Sequence, residues 1–195
     1  DAYTVADDTG RGLVRLARIT LEAELLGETG ALARALAAWP DGPLEERHQG
    51  VFVSLYRTAP REIHEHGRLR ACRGQALPVY PLYFGAVQSA LDAVRDERFP
   101  PVVSSELDGL EVEVMVLSRP SPIASPDEIQ LGTHGLILEK GGKAGLFLPH
   151  VAGENGWTVG QTLSALAEKA GLPPDAWKEG TRLYVYTGQA FTEPR

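Results

Sequence analysis

The stretch LILEKGGKAGLFL, residues 136–148, decides the fold because it encodes a β-hairpin. Apolar residues precede Lys140 and resume after Lys143, with Gly141-Gly142 at the turn. Paired glycines supply the positive φ angles that a two-residue hairpin turn needs. Because a hairpin pairs its strands antiparallel, we predict an antiparallel sheet in this part of the chain.

Three upstream segments also predict strands. LEVEVMVL, residues 110–117, alternates with a period of two, which places its valines on one face and Glu111, Glu113 and Met115 on the other. VFVSLY at 51–56 and RLRACR at 68–73 have typical strand composition or alternation. We predict that these three segments share one mainly antiparallel sheet. LYVY at 183–186 predicts a final strand.

Helical spacing of apolar residues and end signals predict four helices, at residues 8–27, 31–39, 87–94 and 158–170. The fourth begins at a capping box, Thr158 to Gln161. Strands and helices do not alternate in βαβ order, and no internal repeat occurs. The predicted fold class is therefore α+β, with mainly antiparallel sheets and flanking helices.

The composition predicts a folded, soluble protein. The 195 residues are 43% hydrophobic and 23% charged, and 26 acidic against 19 basic residues give a net charge of −7. Nucleic-acid binding is disfavoured because it needs clustered cations. No apolar run predicts a membrane span, and no signal peptide is recognised. A single cysteine fits a reducing compartment, so a cytoplasmic location is predicted.

Cys72 is the first candidate for chemistry. Arg70 lies two residues earlier on the same predicted strand, so strict alternation would put both side chains on one face, about 7 Å apart at Cα. The guanidinium would then favour the thiolate, which is the reactive form of cysteine. The alternative is a small buried hydrophobic side chain.

Other polar residues have weaker patterns. His134 lies in a glycine-containing loop just before a predicted strand, where it fits either acid–base chemistry or a loop-terminating hydrogen bond. His64 and His66 are two histidines without a third ligand, which favours a solvated loop over a metal site. His150 is undecided, and Glu113 faces either a cleft or water. The glycines at 132–145 match no phosphate-binding motif and are explained by turns. No metal ligand set is assigned, and the sequence leaves the cofactor unknown.

Several motifs resemble those of the AMMECR family. LRACRG at 69–74 is similar to the family signature LRGCIG, and GVFVSL at 50–55 is similar to its preceding strand. Further matches in the same order are DERFPPV at 96–102, EVEVMVLS at 111–118, GTHGLI at 132–137, the Gly-Gly hairpin, and KAGLP at 169–173. The resemblance covers nearly the whole chain, residues 1–195, as a single AMMECR-type domain.

The resemblance implies a two-lobed α+β fold, with both termini in one lobe and the cysteine motif 69–74 near the junction. Prokaryotic members resemble protein A of the three-part AmmeMemoRadiSam system, encoded beside a Memo-type protein and a radical S-adenosylmethionine enzyme. This association suggests a metabolic or modification pathway. Two signature positions differ, with Ala71 for glycine and Arg73 for isoleucine.

Two functional hypotheses follow. In the first, Cys72 is a nucleophile, Arg70 stabilises the thiolate or anchors an anion, and His134 is the general acid–base group in a shared cleft. Gly74, Gly135 and Glu113 are candidate binding positions there. In the second, the chain is a non-catalytic adaptor for a Memo-type or other protein, bound through the cleft between lobes.

Overall fold

The computed structural model describes residues 4–39, 49–58 and 68–194. Its helices are α1 (Asp7–Leu26), α2 (Thr29–Ala37), α3 (Leu82–Val94), α4 (Val151–Asn155) and α5 (Val159–Lys169). Its strands are β1 (Val51–Arg57), β2 (Leu69–Gln75), β3 (Leu110–Leu117), β4 (Ser121–Ile123), β5 (Gly135–Lys140), β6 (Lys143–Phe147), β7 (Arg182–Tyr186) and β8 (Gly188–Thr192). The predicted α+β class is confirmed.

The chain divides into two compact units. The first takes in the described residues up to 116 and from 189 onward, and the second is Leu117–Gly188. Each unit contains one four-stranded sheet and its own apolar core. Among the described residues, no helix is both long enough and apolar enough to cross a membrane.

The first sheet has the strand order β2-β1-β3-β8, and β1 pairs antiparallel with both β2 and β3. The prediction that these three segments share a sheet is confirmed. The valines of β3 are buried on one face, against apolar residues of α1 and α3. Gly27, with a φ of 77°, ends α1 where the sequence predicts its end.

An ion pair holds the last strand in the first unit. Arg18 of α1 donates from Nε and Nη2 to Glu193, at 2.7 and 2.5 Å, and also binds the carbonyl oxygens of Leu107 and Leu110. The same carboxylate accepts the backbone N–H of Val112 on β3. These bonds fix the segment after β8 beside β3.

The second sheet has the order β4-β7-β5-β6. Gly141 and Gly142 have φ angles of 58° and 77°, which confirms the predicted hairpin turn between β5 and β6. The capping box at Thr158 and Gln161 is formed, with α5 packed over this sheet. The sequence did not indicate β4, α4 or β8. The prediction that residues 183–186 form the final strand is wrong, because β8 follows them.

Candidate functional site

A β-bulge interrupts β2 at Arg70. Leu55 of β1 pairs with Ala71, whereas the next residue, Tyr56, pairs with Leu69, so Arg70 is the extra residue. Bulges redirect side chains from the alternation that a regular strand imposes. Regular alternation therefore does not extend across Arg70, and it does not place the Arg70 and Cys72 side chains on one face of β2.

Arg70 forms a buried ion pair with Glu106, in the 3-10 helix Ser104–Gly109. Its Nε and Nη2 donate to the two carboxylate oxygens at 2.7 and 2.9 Å, and Nη2 also donates to the carbonyl oxygen of Pro101 at 3.2 Å. Only 4% of the Arg70 side chain is exposed. Burial raises the pKa of Glu106, but hydrogen bonds from Arg70 and the Val103 N–H outweigh it, so this pKa is lowered. The Arg70 guanidinium is thus paired with the Glu106 carboxylate.

Cys72 lies on the face of the first sheet opposite the valines. The Ser54 hydroxyl donates to its Sγ atom at 3.2 Å. Ser54 is directly opposite Cys72 on one side and Glu113 on the other, so the three residues form a row across β2, β1 and β3. Cys72 and Glu113 are half-buried and Ser54 is buried.

The pKa of the Cys72 thiol is raised, because burial disfavours the thiolate. The Ser54 hydrogen bond and the charge of Arg98 lower the pKa, while Asp96 and Glu113 raise it further. The expectation of a lowered thiol pKa is therefore wrong. The nearby cation is Arg98, rather than Arg70.

Asp96 and Arg98 form hydrogen bonds with the backbone of Cys72 at the unpaired edge of β2. The Cys72 N–H donates to Asp96 Oδ2 at 3.0 Å, and Arg98 Nη2 donates to the Cys72 carbonyl oxygen at 2.8 Å. Arg98 also donates to Asp96 from Nε and Nη2, at 3.0 and 2.7 Å. Such capping satisfies the backbone groups that an edge strand leaves unpaired.

Asp96 is the buried member of this cluster, with 2% of its surface exposed. Burial raises its pKa, but hydrogen bonds from the Arg98 side chain and from the backbone N–H groups of Cys72 and Arg98 outweigh it. The pKa of Asp96 is therefore lowered, and the carboxylate is charged at neutral pH. Its charge fixes the backbone of the cysteine motif.

The two glycines proposed for binding have steric roles. A Cβ atom on Gly74 would lie 2.2 Å from the Val51 carbonyl oxygen, so β1 and β2 approach too closely there for a side chain. A Cβ atom on Gly135 would lie 2.2 Å from the Tyr186 ring, whose hydroxyl donates to the Phe147 carbonyl oxygen. Both positions require glycine for packing.

His134 lies in the second unit, immediately before β5. Its Nδ1 atom accepts the backbone N–H of Gln130 at 3.1 Å, and the backbone N–H of His134 donates to the Gln130 carbonyl oxygen at 2.8 Å. These bonds match the loop-terminating alternative. Cys72 lies in the first unit, and a site shared by Cys72 and His134 stays a prediction.

His64 and His66 fall outside the described residues. Within residues 4–39, 49–58 and 68–194, no group of three or more His, Cys, Asp or Glu side chains is placed to hold a metal ion. Nothing in that part of the chain therefore identifies a metal centre.

Sequence reasoning did not assign roles to four residues that shape the site, namely Ser54, Asp96, Arg98 and Glu106. Two signals were present in the sequence. Ser54 is a polar residue at the centre of an otherwise apolar strand, and Asp96 and Arg98 have the spacing of a family motif. The contacts of Ser54 and Asp96 with Cys72 join residues that are 18 and 24 positions apart in the sequence, so local patterns do not reveal them.

The fold and the site define a two-sheet α+β protein whose cysteine motif is an edge strand fixed by a buried aspartate and an arginine. The AMMECR1 family profile matches residues 14–191. The chain belongs to the AMMECR1 family, which confirms the resemblance found in its motifs.

Archaeal relatives match along almost their whole length. A protein of Thermococcus gammatolerans is 42% identical over 98% of this chain and 93% of its own. One of Methanosarcina acetivorans is 40% identical, over 97% and 94% respectively. The crystal structure of an uncharacterized protein from Pyrococcus horikoshii is similar with a TM-score of 0.81 and 38% identity, covering 97% of this chain and 93% of that one.

Proposed function

We propose that this chain is a non-catalytic adaptor that binds a partner protein, with Cys72 as a structural residue. The observation that carries the proposal is the half-burial of the Cys72 side chain, which raises the pKa of its thiol. A thiol is a poor nucleophile until it loses its proton, and cysteine enzymes normally lower this pKa. The cation that would have lowered it, Arg70, is engaged by Glu106 instead.

An exposed apolar surface next to the cysteine motif supports a binding role. Five large apolar side chains are exposed in the described part of the chain, and three of them lie between β2 and the first turns of α3. These are Leu77, Val79 and Phe84, exposed by 64%, 57% and 40%. Tyr80 packs edge-on against Phe84, with ring centroids 5.2 Å apart. We call this group the 77–84 patch. Clustered exposed apolar residues are typical of interaction surfaces.

The proposed partner is a Memo-type protein. The AMMECR resemblance places prokaryotic members beside such a protein and a radical S-adenosylmethionine enzyme, which suggests a shared metabolic or modification pathway. The free thiol fits the reducing conditions of the cytoplasm, the proposed location. Nucleic acid is a less favoured partner, because the net charge is −7.

Thiol-dependent catalysis at Cys72 is the second candidate. The Ser54 hydroxyl and the charge of Arg98 both favour the thiolate of Cys72. A partner that moved Asp96 or Glu113 away would lower the pKa of the thiol, because both acids raise it. In this alternative, Cys72 is the nucleophile and His134 supplies the acid–base group. Substituting Cys72 distinguishes the candidates, because only catalysis needs its sulfur.

Isothermal titration calorimetry with the Memo-type protein of the same organism tests the adaptor. The double variant Leu77→Ser/Val79→Ser should weaken binding by about tenfold or more, because each exposed anchor loses its apolar contact. Leu26→Ser is the matched control, since Leu26 is 51% exposed on α1 outside the patch. It should bind as the unmodified protein does.

Cys72→Ser completes the experiment. The adaptor proposal expects unchanged affinity for this variant. The absence of binding by the unmodified protein, or equal losses in the patch variant and the Leu26 control, would contradict the adaptor. A product formed by the unmodified protein with its partner, and lost in Cys72→Ser, would establish the catalytic alternative instead.

A further inference from the structure

A segment without charged residues joins β2 to α3 and carries the 77–84 patch. Residues 74–91 contain no charged side chain, although 23% of the whole chain is charged. Charges resume at both ends of this segment, with Arg73 on β2 and Asp92 on α3. The segment is therefore apolar in its middle and charged at its ends, and an apolar centre with a polar rim is typical of protein-binding surfaces.

A small cleft lies where the two charged ends meet. It is lined by Arg73 and Gly74 of β2 and by Leu91, Asp92 and Arg95 at the end of α3. Its volume is about 230 Å³, which is below the usual range of small-molecule sites but large enough for one side chain. The cleft therefore suits a single residue of a partner protein better than a free ligand.

The cleft and the 77–84 patch lie on the same face of α3. Four positions spaced by four, three and four residues form a stripe along this helix and its last turn, namely Phe84, Gln88, Leu91 and Arg95. None of these four residues is buried. Phe84 belongs to the patch and Leu91 to the cleft, and the helical rise over seven residues separates them by about 10 Å. A protein that covers the patch is thus placed to reach the cleft.

Arg73 supplies a cation whose N–H donors have no acceptor among the described residues. Its Nε atom lies 3.9 Å from Asp96 Oδ1, which is too far for a hydrogen bond. The Asp96 carboxylate already accepts from Arg98 at 2.7 and 3.0 Å and from the Cys72 N–H at 3.0 Å. Because 41% of the Arg73 side chain is exposed, its guanidinium is accessible to an acceptor on another molecule.

The lining of the cleft favours an acidic side chain. It contains two guanidinium groups, those of Arg73 and Arg95, against the one carboxylate of Asp92. Asp92 Oδ1 accepts from the Gln88 side chain at 3.0 Å, and Arg95 pairs with Glu24 of α1. Arg73 is therefore the lining cation that has no carboxylate of its own. Arginine binds carboxylates through two parallel hydrogen bonds, so an Asp or Glu side chain fits this position.

We propose that the partner protein occupies both features at once, with an apolar side chain on the 77–84 patch and an Asp or Glu side chain in the cleft, paired with Arg73. These two groups lie about 10 Å apart on the surface of the partner. The inference rests on the adaptor proposal and adds the chemistry of the partner. The AMMECR signature has isoleucine where this chain has Arg73, so the acidic contact is specific to chains that carry the cation.

Isothermal titration calorimetry of Arg73→Ile with the Memo-type protein of the same organism tests the pairing. At about 50 mM salt, the variant should bind about three- to fivefold more weakly, which is the loss expected for one half-exposed ion pair. At about 500 mM salt, the difference should shrink to less than about twofold, because salt screens the pair. Isoleucine is favoured in strands, and thermal unfolding checks that the variant is folded.

Two comparisons separate this contact from other effects. Arg15→Met is the matched control, since Arg15 is an exposed arginine of α1 outside the stripe. It removes the same charge and should bind as the unmodified protein does at both salt concentrations. Leu77→Ser/Val79→Ser should weaken binding at both concentrations, because salt does not screen apolar contacts. If Arg73→Ile does not fold, Arg73→Met takes its place in the same titrations.

Four results would overturn the inference. Unchanged affinity in the Arg73 variant, with weaker binding by the patch variant, would remove the acidic contact and leave the adaptor proposal standing. Equal losses in the Arg73 variant and Arg15→Met would indicate a general effect of charge. Self-association of the unmodified protein in analytical ultracentrifugation, abolished by the Arg73 substitution, would place the acidic group on a second copy of this chain. The absence of any binding by the unmodified protein would overturn both proposals.

Discussion

Replacing Asp96 should destabilise the first unit, because this carboxylate fixes the cysteine motif from the edge of β2. In Asp96→Ala, the half-buried Cys72 N–H loses its acceptor, at a cost of about 1–2 kcal/mol. Arg98 loses a charged partner but is half-exposed and regains water, which adds about 1 kcal/mol. The free energy of unfolding should fall by about 2–3 kcal/mol in total.

Asp96→Asn is the matched variant. Its amide oxygen can still accept the Cys72 N–H, but its NH₂ group replaces an oxygen that accepts from Arg98. The expected loss is about 1–2 kcal/mol, smaller than that of the alanine variant. Urea denaturation followed by circular dichroism measures both values at neutral pH.

The effect should depend on pH in a defined direction. The pKa of Asp96 is lowered in the folded state, so its stabilising contribution is complete above the unfolded value of about 3.9. That contribution disappears as the pH falls through the lower folded value. The difference between the unmodified protein and Asp96→Asn should therefore shrink in strong acid.

Equal stability of Asp96→Ala and the unmodified protein at neutral pH would refute this reasoning. A difference that grew on acidification would also refute it, because the sign of the pKa shift would then be wrong.

Two further predictions concern single side chains. Arg70→Met should lower the free energy of unfolding by about 2 kcal/mol, because it leaves a partly buried carboxylate unpaired, yet it should not slow alkylation of Cys72 in the folded protein. Slower alkylation at unchanged stability would show that Arg70 acts on the thiol after all. Gly135→Ala should cost about 2 kcal/mol, since its Cβ atom would overlap the buried Tyr186 ring. Gly153→Ala is the control in open space within α4 and should be neutral or slightly stabilising in thermal unfolding; equal losses in both variants would contradict the steric argument.

The sequence predicted elements whose signals are local. Strand β3 was found with its bounds because LEVEVMVL alternates without interruption, and the β5–β6 hairpin because two glycines fix its turn. Strand β4 has only three residues, one of them proline, and β8 follows β7 after a single residue. Neither produces a pattern long enough to recognise.

The site was predicted less well because its properties come from tertiary contacts. The extra residue at Arg70 depends on how β1 and β2 pair, which the period of two cannot indicate. The pKa of Cys72 depends on burial and on Asp96, Arg98 and Glu113, which lie on other segments. The spacing within RACR therefore suggested Arg70 as the cation beside Cys72, in place of Arg98, and a lowered thiol pKa, in place of a raised one.

The pH dependence of Cys72 alkylation in the folded protein tests the central claim most directly. Iodoacetamide reacts with the thiolate, so the midpoint of its rate against pH reports the pKa of the thiol. The structural role predicts a midpoint above that of a free cysteine thiol, about 8.5, and slower reaction near neutral pH. A midpoint below that value, with faster alkylation than free cysteine at neutral pH, would contradict the account and favour thiol catalysis.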